Sequence, residues 1–234
     1  MSESQEIAAR IAAQLDRASS LRSSGQSGTR AAARQRLRAW QSQRLARTHA
    51  SLVSDPRFSD AANFFLTDIY GANDPATRDD EIRRVLPTAV KLLPTGGLET
   101  MADAIELDAL SEDLDSAMIA ALGTQVKSLN AAAYGSAYRK VGRRNDREHQ
   151  IELIQRLGQS LDRLARQPFI STTLALMRKP ARLAGLSELQ SFLERGYSAF
   201  QKMEDASEFL TKVITREREL LNALFAGNDS LLGV

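Results

Sequence analysis

The chain has 234 residues, 43% of them hydrophobic and 26% charged, a size and balance that suit a folded protein of one large or two small domains and argue against global disorder. It has no cysteine, which excludes disulfides, thiolate nucleophiles and sulfur-ligated metals. The net charge of +2 conceals a strong segregation: eight arginines and no acid lie between Asp16 and Asp55, and seven acids and no base lie between Lys91 and Lys127.

The first twenty residues, MSESQEIAARIAAQLDRASS, carry acids near their start and lack the apolar core of a secretory signal. With no window near the roughly 18 apolar residues of a membrane span, the expected location is cytoplasmic. A first helix is expected over about 4–22, followed by SSGQSGT (23–29), a flexible linker by composition. A second helix should run from about 30 to 53, where Asp55-Pro56 stops it. FFLTDIYG (64–71) belongs to a helix over about 59–70, with Gly71 suited to the left-handed position past its end.

Thr77-Arg78-Asp79-Asp80 resembles a capping box for a helix to about 93, which Pro87 should kink or divide. The acidic segment should form one or two helices up to Gly123, with Ser111 as an internal N-cap, and another helix should follow over 125–141. Asn145 to Glu148 reads as a further capping box, opening a helix that ends near Gln167-Pro168. A short piece at 169–178 should stop at Lys179-Pro180. Ser187 to Gln190 caps the last element, 187–225, whose seam includes Leu189, Leu193, Phe200, Met203, Leu210, Ile214, Leu221 and Leu224. So long a helix invites a break near Met203–Ala206.

Together these signals predict an all-α bundle of about seven to nine helices, with no period-two strand pattern. The expected organisation is an N-terminal helix and linker over 1–29, one helical domain over 30–227 and a disordered tail over 228–234. Packing roles fall to Phe65, Ile69, Leu193, Phe200 and Leu221.

The FFLTDIYG helix poses a geometric question. At about 100° per residue, Phe65, Leu66, Ile69 and Tyr70 share one side, and Phe64 projects to the other beside Asp68. Burying that ring is worth roughly 1.5–3 kcal/mol, so the helix is expected to be covered on two sides. The competing reading makes Phe64 and Asp68 a partner surface. FFLTDIYG, the downstream Arg78-Asp79-Asp80 and Arg84-Val85-Leu86-Pro87 resemble the FFLEELY-motif family of bacterial proteins. Met177 to Ala181, Ala184-Gly185-Leu186 and Phe192 to Phe200 carry the resemblance further, over about 45–227. It implies an all-helical bacterial domain of unknown function and supplies no reaction. Thr67-Asp68-Ile69 stands where the family's name has two glutamates and a leucine, so no acidic pair there takes a catalytic role.

Candidate chemistry is sparse. Asp146 and His149 have metal-ligand spacing on one helical face, but a carboxylate-bridged di-metal bundle needs two such units. His49 on an arginine-rich helix reads as a surface residue more readily than as a haem ligand. Nucleophile elbow, phosphate loop and dinucleotide fingerprint are all missing from the sequence. No catalytic, cofactor-binding or metal-ligating residue is assigned, and the chain leans away from enzymes. Glu217 falls inside the apolar seam of the last helix, a buried carboxylate whose pKa would rise unless it finds a partner.

The arginine-rich stretch admits three readings: pairing with the acidic segment, binding of nucleic acid through residues 17–47, or attraction to an anionic membrane surface. Arg34, Arg38 and Arg44 are the residues through which a charged partner would be held. Trp40 shares a face with Ala33 and Leu37, which favours burial with arginine stems alongside. Three functions therefore stand open. The first is a non-enzymatic module that holds a protein partner or a second copy of itself. The others are a nucleic-acid binder and a protein with an apolar small-molecule pocket between helices.

Overall fold

Strong helix formers, frequent stop signals and four-residue apolar spacings build an all-α chain. The computed structural model describes residues 2–24, 28–69 and 76–233, and these contain eleven α-helices and no strand. In order they are α1 (Glu3–Ser24), α2 (Gly28–Thr48), α3 (Ala50–Val53), α4 (Ser59–Phe64), α5 (Ala76–Leu92), α6 (Thr95–Leu122), α7 (Ala131–Val141), α8 (Arg144–Ala165), α9 (Ile170–Leu183), α10 (Ser187–Met203) and α11 (Ser207–Phe225). The count exceeds the expected seven to nine because the chain turns at His49, separating α3 from α2, and because the last seam breaks into α10 and α11. That break lies where it was expected, at Glu204, whose φ of 64° is left-handed.

The axis of the molecule is α6, which buries both apolar and acidic side chains because other helices enclose it. Leu98, Ile105, Leu110, Leu114, Met118 and Leu122 are all buried, and α1, α2, α7 and α8 pack around them. The helix expected as an N-terminal arm is one of these partners. Ile7, Ile11, Leu15 and Ala18 form a buried stripe at three- and four-residue spacing along α1, closed at its end by buried Arg22. The expected linker lies partly at 25–27, outside the described residues.

Around the FFLTDIYG motif, α4 gives way after Phe64 to a π-helical turn, Phe65–Ile69. The wider turn changes the angle between successive side chains, and both phenylalanines become buried. Phe64 is 5% exposed, packs on Phe192 of α10 at 5.3 Å between ring centres and stands over Gly196. Phe65 turns to Phe200 and Phe209, at 6.1 and 5.8 Å. The motif is therefore covered on two sides, by α10 and α11. The side chain of Ile69 and residues 70–71, with the left-handed position expected for Gly71, lie outside the described residues.

Several local expectations need correction. Helices α5 and α9 run unbroken through Pro87 and Pro180, because both rings sit on exposed flanks where a lost amide bond costs least. Ser111 caps nothing. Its hydroxyl donates back to the Leu107 carbonyl at 2.7 Å inside the continuous α6. At the start of α8 the cap position is Arg143, with φ at 55° and no side-chain cap, so Asn145 lies in the first turn. Nor does Ser187 cap α10, whose first amides instead find Glu81 of α5, with Leu189 N donating to its carboxylate at 2.6 Å. The Thr77 and Arg78 side chains of the expected box before α5 lie outside the described residues. Leu193 is 45% exposed on the outer side of α10. The tail expected to be disordered instead folds into a 3-10 turn at Ser230–Leu232, which buries Leu232 against the α2–α7–α11 cluster.

Candidate functional site

Two matched stripes organise the interior. On α2, Arg34, Arg38 and Gln41 repeat at i, i+4 and i+7. On α6, Asp108, Glu112 and Asp115 do the same, which turns each set toward one side. Glu112, with no exposure, is the hub: Arg22 from α1 and Arg34 and Arg38 from α2 all converge on it. Arg22 also pairs with Asp79 and Asp108, and Arg38 reaches Asp115 at 3.5 Å, where Gln41 donates at 3.0 Å. Farther along, Arg17 and Arg143 share Asp113, and the two guanidiniums outweigh the effect of burial to hold its carboxyl below the usual range. Internal pairing of the arginine-rich and acidic segments is thus what the fold adopts.

One turn beyond this network, Arg44 donates from a single nitrogen, Nη1, to both carboxylate oxygens of Glu217 of α11, at 2.6 and 2.8 Å. His49 approaches the same carboxylate from the turn after α2, with Nε2 at 2.9 Å. Burial alone would push Glu217 up. The Arg44 charge and the His49 hydrogen bond outweigh it and hold the carboxyl at about 2. Trp40 stacks on Tyr134 at 4.3 Å, and Arg147 of α8 lies over the ring of Tyr138, 4.7 Å from its centre. Burial pushes the Tyr138 phenol up to about 12.

Arg44, His49, Glu217, Tyr134 and Arg147 line one end of a cavity of about 480 Å³, partly open to solvent, enclosed by α2, α6, α8, α10, α11 and the π-helical turn. Antiparallel α6 and α8 run along it. Along α6 the wall is made by Asp115, Ser111, Asp108, Leu107, Ile105 and Ala104, and Asp68, Asp79, Glu188 and Arg195 also line the cavity. Along α8 the wall is made by Arg147, Gln150, Ile151, Ile154 and Leu157. Eleven positions of α6 at 1.5 Å each make the lined length roughly 16 Å. Phe65, Phe209 and Val213 complete the apolar wall.

Of the residues singled out from sequence, Arg38, Arg44, Asp68 and Glu217 line this cavity, whereas Phe64 and Arg34 do not. Asp68 holds Arg195 of α10 at 2.5 Å. Arg34 also donates to the carbonyls of Leu21 and Arg22, tying α2 to the end of α1. Phe64, Asp68, Arg34, Arg38 and Arg44 therefore all turn inward, and none presents an open face. Residue spacing missed Arg147, Tyr138 and Gln150, which sit on α7 and α8 far along the chain. Their one signal was that Arg147 follows Arg143 at i+4, toward the start of a helix, where the backbone dipole disfavours a cation. Asp146 is engaged by Arg143 and His149 by Glu106. Among the described residues no group of three or more His, Asp and Glu could hold a metal, and no helix is long and apolar enough to cross a membrane.

A helical bundle with a partly open cavity between its helices is the class that fold and site define. The chain belongs to the family described as Domain of unknown function (DUF8198), whose model matches residues 20–231. No curated protein and no solved structure matches it.

Proposed function

We propose that this chain is a non-catalytic binding module that holds a small molecule with an apolar body in the cavity between α2, α6, α8 and α11. The observation that carries the proposal is the cavity itself. Its volume of about 480 Å³ falls within the 300–1,000 Å³ of ligand sites, and an apolar wall meeting a few convergent polar groups is the usual character of such sites. The charged groups there suit holding better than proton transfer. A carboxylate at about 2 is a weak base at neutral pH and a phenol at about 12 a weak acid.

Native mass spectrometry of protein purified from its own cell tests this, with Val213→Phe as a variant that fills the cavity. A retained mass of a few hundred daltons, released on denaturation and absent from the variant, is the expected result. A bare chain that also fails to take up an apolar fluorescent probe at one per chain would overturn it.

A second reading, contact with a protein partner, is favoured by a different surface. Helix α9 lies on the outside against α10 and exposes Leu176, Met177 and Leu183, with Phe169 just before it 77% exposed. A second copy meeting this face would bury all four. Light scattering should then give a dimer that Leu176→Glu with Leu183→Glu dissolves; a wild type that stays monomeric at high concentration would count against it. Binding of nucleic acid through 17–47 has less support, because Arg17, Arg22, Arg34, Arg38 and Arg44 are all engaged by acids of the same chain. A cytoplasmic setting remains part of the proposal.

A further inference from the structure

At the polar end of the cavity one guanidinium is left without an ion-pair partner among the described residues. Arg147 is 7% exposed and lines the cavity, and its Nε and Nη2 have no hydrogen-bond partner. The other guanidiniums on the wall are paired: Arg38 with Glu112 and Asp115, Arg44 with Glu217, Arg195 with Asp68. The wall's acids are engaged as well, Asp79 and Asp108 by Arg22, and Glu188 is exposed. Stacking on Tyr138 orients the Arg147 guanidinium but accepts none of its protons in the ring plane. The phenol of Tyr138, pushed up to about 12, stays neutral and supplies no counter-charge. Gln150 is engaged by the Ser111 hydroxyl and Gln41 by Asp115, so neither amide turns to Arg147. A buried guanidinium with open donors is costly in isolation and stable once an anion fills its fork.

We propose that the cavity takes a monoanionic amphiphile, its carboxylate on the Arg147 guanidinium and its apolar body lying along Leu107, Ile154 and Phe209. This rests on reading the cavity as a ligand site and adds the ligand's chemical class. One open guanidinium fork, Nε and Nη2 of Arg147, takes one carboxylate. A planar carboxylate accepts two parallel bonds from a guanidinium, which a lysine in its place would not offer. The roughly 16 Å of wall along α6 leaves room for an apolar body beside Leu107, Ile154 and Phe209. His49 Nδ1, buried and without a partner, lies on a residue of the same lining.

Titration calorimetry with decanoate, decanol and decyl phosphate, each below its micellar concentration, separates the outcomes. Decanoate should bind one per chain and at least tenfold more tightly than decanol. Arg147→Gln should bring decanoate down to the affinity of decanol without changing decanol itself, and Arg147→Lys should restore part of the difference. Equal binding of decanoate and decanol to the wild type, or undiminished decanoate binding by Arg147→Gln, overturns the anionic head while leaving an apolar ligand site standing. Decyl phosphate binding tenfold more tightly than decanoate overturns the carboxylate. Binding of none of the three overturns both this inference and the cavity's role. The wild-type comparison of decanoate with decanol decides the matter even if Arg147→Gln does not fold, which circular dichroism reports.

Discussion

Glu112 and Phe65 are both buried in this bundle, and they hold it together by opposite means. Glu112 gathers three guanidiniums from two helices onto one carboxylate of α6. Phe65 gathers the rings of Phe64, Phe200 and Phe209 onto one turn of a π-helix. The charged interface is specific in register, because each acid must meet its own arginine, but it gains little over an apolar contact of the same shape. The aromatic core is indifferent to partner identity and gains with every square ångström removed from water. The first region decides which helices meet, and the second supplies more of the energy that keeps them there.

The largest expected effect is at the hub. Glu112→Ala removes the shared carboxylate from three buried guanidiniums, of which Arg22 keeps Asp79 and Asp108 and Arg38 keeps Asp115, and should lower unfolding stability by up to about 5 kcal/mol, the top of the range for breaking a buried ion network. Urea titration measures it, and a loss under about 1 kcal/mol would mean the arginines simply turn outward to water. Phe65→Ala comes next, at about 4 kcal/mol from lost transfer and an unfilled cavity. The same titration repeated between pH 7 and pH 3 should find this deficit unchanged, since no charge is involved.

Acid distinguishes the two regions further. The Glu217 carboxyl titrates near 4.5 when free and at about 2 in the fold. It binds a proton less readily when folded, so its contribution is complete above about pH 4.5 and is lost as pH falls toward 2. The amount is on the order of 3 kcal/mol. Urea midpoints of wild type and Glu217→Gln should therefore converge across that window, and parallel curves would mean that Arg44 does not stabilise the ionised carboxylate. The smallest effect belongs to Leu193→Ser, within about 0.5 kcal/mol because the side chain is already exposed. A larger loss would indicate that a partner covers this face of α10.

Much of the architecture was legible before any coordinate. The break at Glu204, the continuous helical character and the coverage of Phe64 from a second side follow from chain-local period and from the cost of an exposed ring. Spacing also carried the site in part: Arg34, Arg38 and Gln41 already share a helical side, and so do Asp108, Glu112 and Asp115. Their mutual alignment was not legible, because it depends on α2 lying along α6, more than sixty residues away. Arg147 was missed for the same reason. In sequence it belongs to a run of basic residues at a helix start, and only the packing of α8 against α6 and α7 buries it. Leu193 failed in the other direction, an apolar residue at seam spacing that the turn of α10 leaves outside. The π-helical turn at Phe65 escaped prediction because its extra residue per turn is tolerated by the packing of α10 and α11, not demanded by its own side chains.

By itself the order of residues determined that the chain is helical, where most helices start and stop, and that opposite charges sit in separate segments. Those properties depend on neighbours a few positions apart, within reach of a single helical turn. Which arginine meets which acid, which one is left without an ion-pair partner among the described residues, and that a cavity opens between the helices were decided by the tertiary structure. The reason is physical: burial and electrostatic compensation are sums over distant segments, and they exist only once α6 has been enclosed.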